Sequence, residues 1–179
     1  MGKINVLSFA VANLIAAGEV VDRPASVIKE LLENSIDSGA KQITVEIKNG
    51  GITYMRVSDN GCGIEAEDLP IAIKRHATSK IKTSDDLMKI LTLGFRGEAL
   101  AAIASVSDLR IISKTADAAY GAMVEAHGGE IVEYSEQAAR NGTSVIVENL
   151  FANIPARRKF LKKDSTEASA IETILEKIA

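Results

Sequence analysis

Four groups of residues in this 179-residue chain have types and spacings that chemistry can use. Glu30 and Asn34 stand four apart in "KELLENSID", so on a helix their side chains converge on one point in space. The same spacing also occurs on ordinary exposed helix faces. "DNGCG" (59–63) offers Asp59 as a pure acceptor followed by Gly61 and Gly63, which allow close backbone approach; it is also a common turn composition. "GFRGEAL" (94–100) places Gly94 and Gly97 before a run of strong helix formers. Amides at such a helix start attract anions, and simple capping explains the glycines equally well. "NGT" carries Thr143 into a strand and has the composition of a plain hairpin.

The elements that must hold these groups follow from periodicity. Pro24 suits a first helical turn, and Val27, Ile28, Leu31, Leu32, Ser35 and Ile36 form an inward stripe. Glu30, Glu33, Asn34 and Asp37 gather on the opposite side, and Gly39 suits the stop. "QITVEI" and "ITYMRVS" alternate as strands around an "NGG" hairpin signal, which leaves the Asp59 loop at a strand end. Leu69, Ala72, Ile73 and His76 keep helical spacing. A polar loop at 77–86 precedes a short helix near 85–91, and a further helix follows "GFRGEAL". "DLRIISK", "AAYGAMVEA", "IVEYSE" and "SVIVENL" read as four strands with hairpin punctuation. A last helix carries Ile171, Ile174, Leu175 and Ile178, and the chain stops inside it without a cap, as a piece of something longer would. This pattern predicts one α+β domain: a two-layer α/β sandwich with a mixed, mostly antiparallel sheet and helices on one face.

Composition narrows the classes. With 46% hydrophobic residues and no Trp, the core must be aliphatic. Cys62 has no partner, which excludes an internal disulfide and favours a reduced intracellular setting. Two histidines and no Cys-x-x-Cys argue against a metal cluster. The apolar patch near the N-terminus is too short and too interrupted to span a membrane, so a cytosolic arm is expected there. Net charge of −3 recommends no nucleic acid globally. One local exception is "PARRKFLKKD", with Arg157, Arg158, Lys159, Lys162 and Lys163, which reads either as a solvated helix face or as a phosphate-backbone contact. No G-x-G-x-x-G joins a strand to a helix, and no Walker A sequence occurs.

The order of the four groups resembles the Bergerat-type ATP-binding fold shared by DNA gyrase B, heat-shock chaperone ATPases, sensor histidine kinases and MutL. More narrowly, "ANLIAAGEVVDRPASVIKELLENSIDSGA", "DNGCGI", "RHATSKI", "LGFRGEALAAI" and "NIPARRKFL" resemble the N-terminal ATPase region of MutL-type mismatch repair proteins, from about residue 5 to the chain end. Ser38, where that family usually has Ala, and "LSFAV" are small departures. The resemblance implies an arm at 1–20 that responds to ATP and dimerises, then an ATPase domain at 21–179 cut before a second, transducer domain. It implies ATP and Mg²⁺ as ligands, with Glu30 as catalytic base, its proton affinity raised by phosphate charge, and Asn34 as the metal ligand. Asp59 would accept the adenine amino group, with Gly61, Gly63 and Ile64 against the base and the Thr143 hydroxyl supporting Asp59; Cys62 would be a small packing residue. Asp37 would frame the ribose or purine side. Thr78, Ser79 and Lys80, with Gly94, Phe95, Arg96, Gly97, Glu98, Ala99 and Leu100, would form a lid over the triphosphate.

Partners implied are DNA, a mismatch-recognition protein, a downstream nuclease or helicase, and a second copy of the chain. The setting is cytoplasmic, or nuclear in a eukaryote, with no membrane. In that family a lysine of the following domain reaches the γ-phosphate, so turnover in this chain would be weak. The alternative is a nucleotide-gated dimerisation or DNA-binding module with negligible hydrolysis.

Overall fold

The computed structural model describes residues 5–6, 8–78 and 97–178. The expected short helix near 85–91 lies outside them, as do Ser79, Lys80, Gly94, Phe95 and Arg96. Two helices come first, α1 (Phe9–Val20) and α2 (Pro24–Asp37). Strands β1 (Ile43–Lys48) and β2 (Tyr54–Asp59) follow, then the four-residue α3 (Leu69–Ala72) and α4 (Ala99–Ser105). Strands β3 (Asp108–Lys114), β4 (Gly121–His127), β5 (Glu130–Gln137) and β6 (Gly142–Glu148) lead into α5 (Pro155–Arg158) and α6 (Asp164–Ile178).

The strands form one sheet in the order β1-β2-β6-β3-β4-β5. Every pairing among the described residues is antiparallel, so the sheet expected to be mostly antiparallel is wholly so. Alternation sorts its two faces. Met55, Val57, Leu109, Ile111, Val124, Val145 and Val147 are buried on the inner face, where α2 and α4 pack. The outer face carries polar pairs, among them Arg110 with Glu125 and Arg56 with Ser58 and Ser144.

Helix α2 begins at Pro24, whose missing N–H falls where helical amides have no acceptor. It ends at Asp37, and Gly39, just past the C-cap Ser38, has a positive, left-handed φ. Val27, Ile28, Leu31 and Leu32 are at most 4% exposed; burying each contributes roughly 1.5–3 kcal/mol. Ile36 departs from the expected stripe, being 40% exposed. It lies about 80° around the helix from Ile28, at the margin of the apolar face, and no described residue covers that margin in the last turn. The helical spacing through His76 is cut short as well. Helix α3 stops at Ala72, and His76 has a positive φ, which no α-helix accommodates. In α6 the expected stripe is graded: Ile171 is buried, Ile174 and Leu175 are partly covered, and Ile178 is 36% exposed.

Candidate functional site

A cavity of about 960 Å³ opens between α2, the ends of β2, β3 and β6, and the segments 68–78 and 97–100. Helix α2 sends Glu30, Asn34 and Asp37 into its wall, all half-buried, as the i, i+4 spacing predicts. Asp59 and Thr143 enter from the sheet. Asp59 follows and Thr143 precedes the antiparallel partners Ser58 and Ser144, so both fall on the inner face at the sheet's end.

Asp59 is held by three protein donors. The backbone N–H groups of Gly61 and Thr143 donate to Oδ1 at 2.9 and 3.3 Å, and the Ser35 hydroxyl donates to Oδ2 at 2.8 Å. The Thr143 hydroxyl makes no direct hydrogen bond to Asp59. It pairs instead with the Ser113 hydroxyl at 2.9 Å, and only the Thr143 backbone supports the carboxylate. Ser113, 1% exposed, also accepts the Ile64 N–H at 2.8 Å and contacts the Gly142 carbonyl at 3.0 Å.

The loop after Asp59 is built by contacts with the chain itself. Asn60 Oδ1 accepts the Lys41 and Gln42 N–H groups at 2.8 and 2.9 Å, fastening the loop to the approach of β1. The Cys62 N–H donates to the Ser38 carbonyl at 3.0 Å, fastening it to the end of α2. A Cβ on Gly61 would collide with the Ser38 hydroxyl, and one on Gly63, where φ is also positive, would collide with the Lys114 carbonyl. Close packing of chain on chain thus accounts for both glycines. Gly63 and Ile64 line the cavity, whereas Gly61 lies behind it. Cys62 is exposed at the cavity rather than packed.

On the opposite wall, Thr78, Gly97, Glu98, Ala99 and Leu100 line the cavity from both flanks of the segment 79–96. The flanks touch each other: a Cβ on Gly97 would stand 2.6 Å from the Ala77 carbonyl, and His76 Nδ1 lies 3.5 Å from a Glu98 oxygen. Of the basic cluster, Arg158, Lys159, Lys162 and Lys163 are exposed. Arg157 is not part of that surface. Its guanidinium turns inward, donating to the Val21 carbonyl at 3.1 Å and lying over the Phe151 ring.

Sequence reasoning missed Ser35 and Ser113 as site residues, reading the first as core filler. A signal existed for each: a hydroxyl on an otherwise apolar inward face needs a polar partner, and both found one around Asp59. Ser38, set aside as a harmless departure, supports the same loop. For a divalent cation, no group of three or more His, Cys, Asp or Glu that could cage one occurs among the described residues. Asn34 offers a neutral amide oxygen to the cavity from the same face of α2 as Glu30, which fits an ion held mainly by phosphates and water. No helix among the described residues is long and apolar enough to cross a membrane.

Comparison with known proteins matches this geometry. The family model described as histidine kinase-, DNA gyrase B-, and HSP90-like ATPase matches residues 22–145. The DNA mismatch repair protein MutL of Caldanaerobacter subterraneus subsp. tengcongensis is 51% identical over 178 residues, covering 99% of this chain and 30% of that protein. MutL of Pseudomonas fluorescens is 53% identical, covering 99% of this chain and 28% of that protein. The chain thus spans under a third of the length of these relatives. Among solved structures, the Aquifex aeolicus MutL ATPase domain complexed with ADP superposes with a TM-score of 0.69 at 34% identity, covering 87% of this chain and 54% of that one.

Proposed function

Because this chain belongs to the histidine kinase-, DNA gyrase B-, and HSP90-like ATPases, we propose that it is the ATP-binding, slowly ATP-hydrolysing region of a MutL-type mismatch repair protein. The observation that carries the reading is the shared cavity: Glu30, Asn34 and Asp59, singled out for three different tasks, line one hollow. The ADP named for the Aquifex domain supports a purine nucleotide as its occupant.

Each residue then has a physical task. Asp59, an acceptor only, selects a base whose edge donates, as the adenine amino group does. Asp37 and Ile64 bound the purine and ribose side. Asn34 would hold Mg²⁺ through its amide oxygen, and the ion would supply neutralisation of phosphate charge. Glu30, one turn before Asn34, orients a water and takes its proton as the oxygen attacks the γ-phosphorus. The bond from that phosphorus to the bridging oxygen breaks, and ADP leaves. Such a transfer needs positioning and charge neutralisation more than covalent help, so a thin set of residues suffices. Amides at Ala99 and Leu100, opening α4, face the phosphate end, and Thr78, Ser79 and Lys80 with residues 94–98 are the rest of the proposed lid. Binding of the γ-phosphate orders that lid together with the arm at 1–20, and two copies associate. Exposed Arg158, Lys159, Lys162 and Lys163 contact DNA phosphates, and the ATP cycle links a mismatch-recognition protein to a downstream nuclease or helicase.

Titration calorimetry with ATP and a non-hydrolysable analogue, with and without Mg²⁺, tests binding. Turnover is tested by Glu30→Ala, which should abolish hydrolysis while nucleotide affinity persists. If the native chain binds nucleotide yet is as inert as the variant, a nucleotide-gated association module replaces the ATPase reading. Absence of any nucleotide binding removes both.

A further inference from the structure

Helix α2 is anchored separately at its two ends. Its C-terminal end is tied to the purine side of the cavity, by Ser35 to Asp59 at 2.8 Å and by the Ser38 carbonyl to the Cys62 N–H at 3.0 Å. Its N-terminal end is tied elsewhere. The connector from α1, residues 21–23, is gripped on both sides by the segment 157–167. Arg157 donates to the Val21 carbonyl at 3.1 Å, and a Cβ on Gly18 would collide with its guanidinium. Arg23 donates through both Nε and Nη2 to Oε2 of Glu167, at 3.0 and 2.9 Å. Oε1 of Glu167 accepts the Lys162 N–H at 2.9 Å.

Glu167 is 1% exposed, and a carboxylate that deep persists because these donors replace its water. Glu30 lies between the two anchors, seven residues beyond Arg23, roughly 10 Å along the helix at 1.5 Å per residue. It is also shared by two hollows. A groove of about 510 Å³ between α2 and α6 is lined by Lys29, Glu30 and Thr173, and Glu30 borders the nucleotide cavity as well.

From this arrangement we propose that Glu167, with Arg157, is a positioning residue for Glu30. The pair fixes the N-terminal half of α2, and so governs how well Glu30 is placed for hydrolysis while leaving the grip on the nucleotide to the other end. The inference rests on the ATPase reading above. A displacement of about 1 Å at a reacting group can cost up to about a hundredfold in rate, so a partial loosening here should be visible.

The test compares Glu167→Gln and Arg157→Gln with the native chain, and with Glu172→Gln, an exposed carboxylate on the same helix. Three quantities are read: kcat and KM for ATP, ADP affinity by calorimetry, and amide hydrogen exchange along α2. The expected result is kcat lower by about tenfold in both variants, with KM and ADP affinity within about twofold of native. Exchange at 25–30 should quicken while the sheet amides keep their protection. Unchanged kcat overturns the proposal. So does a parallel loss of kcat and ADP affinity, which would make Glu167 a general support of the fold. Should Glu167→Gln fail to fold, Arg157→Gln decides alone. If the native chain does not hydrolyse ATP, the functional reading falls, and unchanged exchange at 25–30 would independently overturn the positioning role.

Discussion

Asp59 shows how much a single carboxylate can be committed before any ligand arrives. An ionised carboxylate offers about four lone-pair sites, and three are taken by Ser35, Gly61 and Thr143. What remains is on Oδ2, and Asp59 lines the cavity. Asp59→Asn places an amide among three donors and removes the charge, so nucleotide affinity should fall by about tenfold or more, the range of one charge-assisted hydrogen bond. Calorimetry measures this directly, and an unchanged affinity would remove Asp59 from the site. A second carboxylate acts far from the cavity. The His127 hydrogen bond, and then Arg110, hold Glu125 below its ordinary pKa of 4.5. A depressed carboxyl pKa stabilises the fold above the unfolded value and loses that contribution as pH falls through the lower, folded value. Acid unfolding of Glu125→Gln should therefore lack one component below about pH 4.5, while its stability at pH 7 falls slightly.

At the scale of elements, the loop joining β2 to α3 works because it is pinned on three sides, to α2, to β1 and to the β3 end. The last contact demands a glycine. Gly63 and Gly39 share the same left-handed φ, but only Gly63 has backbone in the place of a Cβ. Gly39→Ala should cost about 1 kcal/mol for the left-handed backbone alone. Gly63→Ala adds a collision with Lys114 and should cost about 1–3 kcal/mol more. Chemical denaturation of the two variants separates the terms, and equal losses would show that the loop yields freely. The same pinning explains why α3 is short. The chain turns back at 73–78, Ala77 meets Gly97, and a longer helix would carry His76 away from Glu98.

Across the whole molecule, the cavity lies at one end of the sheet and the exposed cations of the 158–163 turn lie beyond α5. The proposed DNA contact through that turn is a local electrostatic one, made against the chain's overall charge of −3. The logarithm of the affinity for a duplex should fall linearly with the logarithm of salt concentration, and Lys159→Glu or Lys162→Glu should lower the slope by about one phosphate contact each. Fluorescence anisotropy across a salt series measures the slopes. Unaltered slopes would mean that the turn is a solvated surface and no DNA contact.

Much of this was readable from residue order alone. Periodicity gave α2 and the inner sheet face, because burial of aliphatic side chains follows the helical or the strand repeat whatever the rest of the chain does. Turn signals gave the β1–β2 and β4–β5 hairpins, but the one at 141–143 misled: β6 leaves β5 and inserts between β2 and β3, a long-range pairing that no local signal carries. The i, i+4 relation of Glu30 to Asn34 is local, and so it held. Long-range facts were different. That Arg157 turns inward to Val21, that Ser35 and Ser113 serve the Asp59 loop, and that a buried Glu167 grips Arg23 depend on which surfaces meet across distant parts of the chain. A hydroxyl or guanidinium has no preferred partner in its own neighbourhood. Only the packed sheet and helices brought those groups within reach, where leaving them unpaired would have cost more than the contact.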